Sequence, residues 1–166
     1  VSPKEPMEGI VGDGTEAFHT YYCRPNWVAF RIVDGRYKFM ADFRYFAIEG
    51  PDGTSYQEHY AEVDDSFRRT QDFYRQNGML NPWDQTDNPQ PWIEELGTTL
   101  TEGNWCGSSD FPLADAGEPL PLTQDGRTFR YIGTLAGYGY REYGADGILL
   151  FYDPVEKIAL LTFDWT

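Results

Sequence analysis

Lysine, histidine and cysteine are scarce in this chain. Lysine stands only at Lys4, Lys38 and Lys157, histidine at His19 and His59, and cysteine at Cys23 and Cys106. No CxxC spacing joins the two cysteines, so a zinc site of the usual kind is not expected. One disulfide would suit an exported chain. Two inert thiols suit a cytoplasmic one, and the reading favours the latter. Positive charge is also short. The chain has 13 basic residues against 27 acidic ones, giving a formal net charge of -14 and a pI near 4.3. Such a surface repels phosphates, so nucleic-acid binding is not expected, whereas a basic protein surface would be attracted. No apolar run approaches the roughly 18 residues of a membrane span, and no membrane partner is expected. The opening VSPKEPMEG carries no apolar signal core.

Aromatic residues, by contrast, make up 17% of the 166 residues, within a hydrophobic content of 40%. Aromatics favour pleated, half-buried surfaces, and the length suffices for one core without cross-links. The expected organisation is a flexible leader over 1–14 and a single globular α+β domain over 15–166.

The segment WVAFRIVDGRYKFMADFRYFAI, residues 27–48, predicts a hairpin turning at Asp34-Gly35. That register pairs Val33 with Arg36, Ile32 with Tyr37, Phe30 with Phe39 and Val28 with Ala41. Ile32, Tyr37, Phe30, Phe39, Val28 and Ala41 then share an apolar face, while Arg31 and Lys38 meet on the other. A second turn at GPDG, 50–53, would extend this to a three-stranded meander over 27–63, with Tyr45, Tyr56, Glu58, Tyr60 and Glu62 on one face. Asp64 or Asp65 can then cap one main helix near 65–77, stopped at Asn77-Gly78 and striped by Phe67 and Tyr74. NPWDQTDNPQPW reads as irregular chain because proline denies it a regular element. WIEEL reads as a short helical turn after Pro91, and 98–118 gives weak signals. Thr128–Leu135 predicts a strand, and AGYGYREYGADG a bulge or loop.

The end of the chain, GILLFYDPVEKIALLTFDWT, predicts a C-terminal hairpin over 147–165. A DPVE loop would pair Tyr152 with Lys157 and Phe151 with Ile158. Both its faces are apolar, and strands greasy on both sides are normally covered on both. The fold expected is a twisted antiparallel sheet made of the meander 27–63 and this hairpin, packed against the 65–77 helix.

No motif names a reaction. Glu58 and Glu62, set in an aromatic cup, are the candidate general acid or base, because a desolvated carboxylate has a raised pKa. Ser108-Ser109 lacks the strand–elbow–helix setting of a hydrolase nucleophile. DQTDN and GDG offer oxygen ligands without the alternation of a calcium loop, so neither metal nor cofactor is expected. The loops carry Tyr138, Tyr140, Tyr143, Trp83, Trp92 and Trp105, beside the acids Asp84, Asp87, Glu94 and Glu95. Tyrosine and tryptophan on loops make good protein contacts. These features point to a non-catalytic acidic protein that masks a basic protein partner, in concrete form a bacterial immunity or inhibitor protein neutralising a toxin or enzyme. A small-ligand or glycan-binding module on the aromatic face of 37–60, or a small enzyme using Glu58 or Glu62, is the alternative.

Overall fold

Asp34 and Gly35 both adopt left-handed backbone (φ 49 and 71), which gives the two-residue turn the right-handed twist of the strands around it. The computed structural model describes residues 10–46, 57–81, 89–91, 93, 95–96, 100, 102–107, 110–115, 117–141 and 144–165. In it the turn joins β1 (Trp27–Val33) to β2 (Arg36–Phe39) in the expected register, Phe30↔Phe39, Ile32↔Tyr37 and Val33↔Arg36. The remaining strands are β3 (Glu95–Leu96), β4 (Arg130–Leu135), β5 (Gly147–Asp153) and β6 (Ile158–Asp164). All the pairings are antiparallel, in the order β2-β1-β6-β5-β4-β3. With the long helix α1 (Gln57–Asn77), the α+β class holds.

The meander does not. After β2 the Met40 N–H still bonds the Ala29 carbonyl, but Asp42 then caps a 3₁₀ turn at Phe43–Tyr45. Its carboxylate takes the Arg44 guanidinium (2.7 and 3.0 Å) and the Arg44 N–H (2.9 Å). Those contacts, the guanidinium first, hold the Asp42 pKa down to about 2. Where a third strand was expected, residues 57–63 form the first turns of α1, and 47–56 lie outside the described residues. The alternation Glu58, Tyr60, Glu62 coexists with helical spacing: Tyr60, Val63 and Ser66 recur at i, i+3 and i+6 and are the buried residues of α1. Asp64 and Asp65 are therefore interior to the helix rather than caps. Phe67 and Tyr74, the expected stripe, are 37% and 39% exposed. Nor is WIEEL a helical turn, since Glu95–Leu96 pairs with Gly133 and Thr134 of β4.

The terminal hairpin is central, flanked by β1 and β4, but its register differs from the expected one by two positions: Asp153 faces Ile158 and Tyr152 faces Ala159. Asp153 accepts the Glu156 N–H (2.8 Å) and Lys157 takes left-handed backbone (φ 56), so the loop is PVEK instead of DPVE. Asp153 is only 2% exposed and also accepts Arg127 Nη2 at 3.1 Å. Arg127 reaches Glu156 as well (3.5 Å), and Glu156 bonds Arg31 (2.9 Å).

One face of the sheet is sealed. Residues opposite in a ladder share a face, so Trp27, Ala29, Leu149, Phe151, Ile158, Leu160 and Thr162 lie together. The cover comes from described residues of the 98–118 region, where the sequence signals are weak. Phe111 stacks on Trp27 at 4.3 Å, and Trp105 packs edge-on to Trp27 at 6.0 Å and tilted against Phe151 at 5.7 Å. Asp164 places Trp105 there by accepting its backbone N–H at 3.1 Å from the end of β6. Trp105 is thus a core residue, 1% exposed.

The chain before β1 is tied in by a polar knot. Buried Asn26, left-handed at φ 68, donates its side-chain amide to the Phe163 carbonyl (2.7 Å), while its N–H bonds the Val11 carbonyl (2.8 Å). Val11 is 2% exposed, so the packed chain begins before residue 15. The Tyr45 hydroxyl lies 2.7 Å from the Arg24 carbonyl and 2.9 Å from that of Trp27, sharing one proton between them. Burial pushes its pKa well up. Tyr45→Phe should destabilise the fold by about 1–2 kcal/mol, the worth of a buried hydrogen bond and its desolvated acceptors. The check is a lower urea midpoint at unchanged slope.

Candidate ligand-binding trough

The second face of the sheet carries Val28, Phe30, Ile32, Tyr37, Phe39, Ile148, Leu150, Tyr152, Ala159, Leu161 and Phe163, again by ladder partnership. At its β2 end it is closed. Phe39 packs on Phe30 (5.6 Å), Phe43 (5.3 Å), Tyr45 (5.9 Å) and Phe46 (4.9 Å). Over the middle strands it forms a trough of about 600 Å³, floored by Leu150, Ala159 and Leu161, walled by Phe30, Ile32 and Tyr37 on one side and by Ile132, Leu135 and Tyr140 on the other. Among the described residues, no ionised side chain lines it.

Two irregularities build the far wall. In β4 the pairing jumps between Tyr131 and Gly133, a bulge whose extra residue, Ile132, turns toward the trough. After β4 the chain folds back on itself, with the Gly137 and Tyr138 N–H groups bonding the Ala145 carbonyl at 2.8 and 3.2 Å. A Cβ on Gly144 would sit 2.3 Å from the Gly137 carbonyl carbon, so the crossing requires glycine on both strands. This loop carries Tyr140, half-buried, to the mouth of the trough.

The sequence-predicted residues fare unevenly. Glu58 and Glu62 stand exposed on α1; of the cup expected around them, Tyr45 is sealed in the polar knot instead and Tyr56 lies outside the described residues. His59 lies in α1 with its ring 5.6 Å from that of Tyr60. Tyr138 and Tyr140 are half-buried on one loop. Glu95 contributes its backbone to the edge strand β3. Trp83, Asp84, Asp87, Trp92, Glu94 and Tyr143 lie outside the described residues. Of the described loop residues expected to bind, Tyr140 lines the trough, and Tyr37 comes from the aromatic face of 37–60 expected to hold a small ligand. Ile148, Leu150, Tyr152, Ala159 and Leu161 belong to the two-sided apolar pattern of the C-terminal hairpin, which by itself predicts core.

A second depression, about 690 Å³, is polar and bordered by Asp13, Glu16, His19, Thr20, Arg24 and Asp110. Its bases are engaged on the backbone. His19 Nε2 lies 2.8 Å from the Gly12 carbonyl, and Arg24 donates to the carbonyls of Tyr21 and Asp110 at 3.1 Å each. The Thr15 hydroxyl near His19 is buried and held by the Gly12 carbonyl at 2.8 Å. This arrangement anchors loops and presents no activated nucleophile.

Among the described residues no cluster of three metal-ligating side chains occurs, and no helix is long and apolar enough to cross a membrane. The chain matches no protein-family model, no curated protein and no solved structure.

Both thiols are free, and burial pushes each pKa above the ordinary cysteine value. Cys23 is fully buried with its thiol against the Ala29 carbonyl, while Cys106 is half-buried. A thiol reagent at neutral pH should therefore modify Cys106 slowly in the native protein and Cys23 only after unfolding in urea, read by mass spectrometry of the labelled peptides.

Proposed function

We propose that this chain is a non-catalytic binding protein whose site is the trough between Tyr37 and Tyr140, taking a small and mainly apolar ligand. The observation that carries the reading is the open apolar volume of about 600 Å³ on a sheet whose opposite face is packed over its middle strands. Ligand sites commonly enclose about 300–1,000 Å³ and are lined by apolar and aromatic side chains with few polar groups. An apolar surface left to water on a central sheet is costly unless something covers it, and a ligand would recover that cost. The test is a thermal-shift screen of small apolar compounds. A true ligand at about 100 times its dissociation constant should stabilise by about 2.7 kcal/mol. Ala159→Phe, which fills the floor of the trough, should remove that stabilisation while leaving the circular dichroism spectrum unchanged.

A second reading, favoured by the net charge of -14, is that the acidic surface masks a basic protein, as an immunity or inhibitor protein would. Charge complementarity speeds encounter and makes it salt-sensitive. Affinity capture from the native source should then recover a basic protein at low salt and lose much of it at high salt. Recovery of none at either would set this reading aside.

A further inference from the structure

The ladders place an ionised group beside the trough, whose described lining residues include none. Arg130 opens β4 and is the cross-strand partner of Tyr152, a lining residue, so both project from the same face of the sheet. It is exposed and forms no ion pair among the described residues. Every other ladder-paired position on that face is uncharged: Val28, Phe30 and Ile32 of β1, Tyr37 and Phe39 of β2, Leu96 of β3, Gly133 and Leu135 of β4, and the alternate residues of β5 and β6. A chain with 27 acidic residues against 13 basic ones thus sets none of its acids at these positions and one of its arginines.

The position of that arginine gives the trough a direction. Arg130, Tyr152 and Tyr37 stand at the end nearest the 34–35 and 154–157 turns, whereas Leu135 and Ile148 stand at the opposite end. Between Tyr152 and Ile148 the strand rises about 13 Å, four residue steps at about 3.3 Å each. The site is therefore cationic at one end and apolar along a length that a medium acyl chain would occupy.

We infer that the ligand of this trough is an amphipathic carboxylate, with its head group paired to the Arg130 guanidinium and its hydrocarbon tail laid along Leu150 and Leu161 toward Leu135 and Ile148. The inference rests on the reading of the trough as a ligand site. Arginine suits the role because its planar fork pairs a carboxylate through two parallel hydrogen bonds. A cation at that end also supplies local complementarity where the net charge of the chain repels anions.

The experiment compares decanoate with decanol, equal in chain length and different in charge, by titration against the wild-type chain and Arg130→Gln. Decanoate should bind the wild type about tenfold more tightly than decanol, the worth of one charge-assisted contact. R130Q should remove that advantage and leave decanol binding unchanged. Because Arg130 is exposed, the variant should keep its fold, and unchanged decanol binding verifies this within the same experiment. If decanol binds and decanoate gains nothing, or if R130Q leaves their ratio as it was, the assignment of Arg130 is overturned while the apolar site stands. If neither compound binds the wild type, the reading of the trough as a ligand site falls, and the inference with it.

Discussion

The organisation of this protein follows from strands that are apolar on both sides placed in the middle of a sheet with one aromatic cover. β5 and β6 have no polar face to give to water, so each side must find apolar company. Segment 100–129 closes one side with Trp105 and Phe111, and the Phe39–Phe46 cluster closes one end of the other. What remains over the middle strands is the trough. The sealed core and the candidate site thus lie on opposite faces of one sheet, and parity decides which of the two faces a side chain in β5 or β6 joins.

That parity explains which parts of the fold were legible. The β1–β2 register was readable because an Asp-Gly turn and a period of two agreed on one alignment. In the β5–β6 hairpin the faces were readable and the register was not. The alignment is set by the Asp153 carboxylate gripping the Glu156 N–H and by a left-handed Lys157, local chemistry that a hydrophobic pattern does not contain. Since the displacement is an even number of residues, each side chain kept its face. The failure at 57–63 has another cause. Tyr60, Glu58 and Glu62 satisfy a strand, but Glu58, Ala61 and Glu62 are also good helix formers, and Val63 and Ser66 complete a helical stripe.

The site was harder to read than the fold because it has no motif. Its residues come from β1, β2, β4, β5, β6 and the 137–140 loop, and only the strand order brings them together. The sequence points to charged and aromatic loops, to Glu58 and Glu62, and to the aromatic face of 37–60. Those regions include Tyr140 and Tyr37 of the trough, whereas Phe30, Ile32 and Leu150 look there like ordinary core. The bulge at Ile132 and the crossing of Gly137 with Gly144 follow from backbone geometry, of which the glycines alone were a visible trace. Arg130 was invisible for a different reason: an arginine at the start of a strand is unremarkable until its partner across the ladder is known.

The strand order also bears on how the molecule comes into being. β1 is bonded on one side to β2, its neighbour in the chain, and on the other to β6, with Trp27 opposite Thr162. During synthesis the early hairpin must wait, with one side of β1 unsatisfied, until residues 158–164 have left the ribosome. Contacts between such distant parts of a chain form slowly, and a waiting strand edge invites pairing with other molecules. The interval before β6 arrives therefore leaves one edge of β1 open to pairing with other molecules, and a chaperone that shields β1 over that interval would lower that exposure.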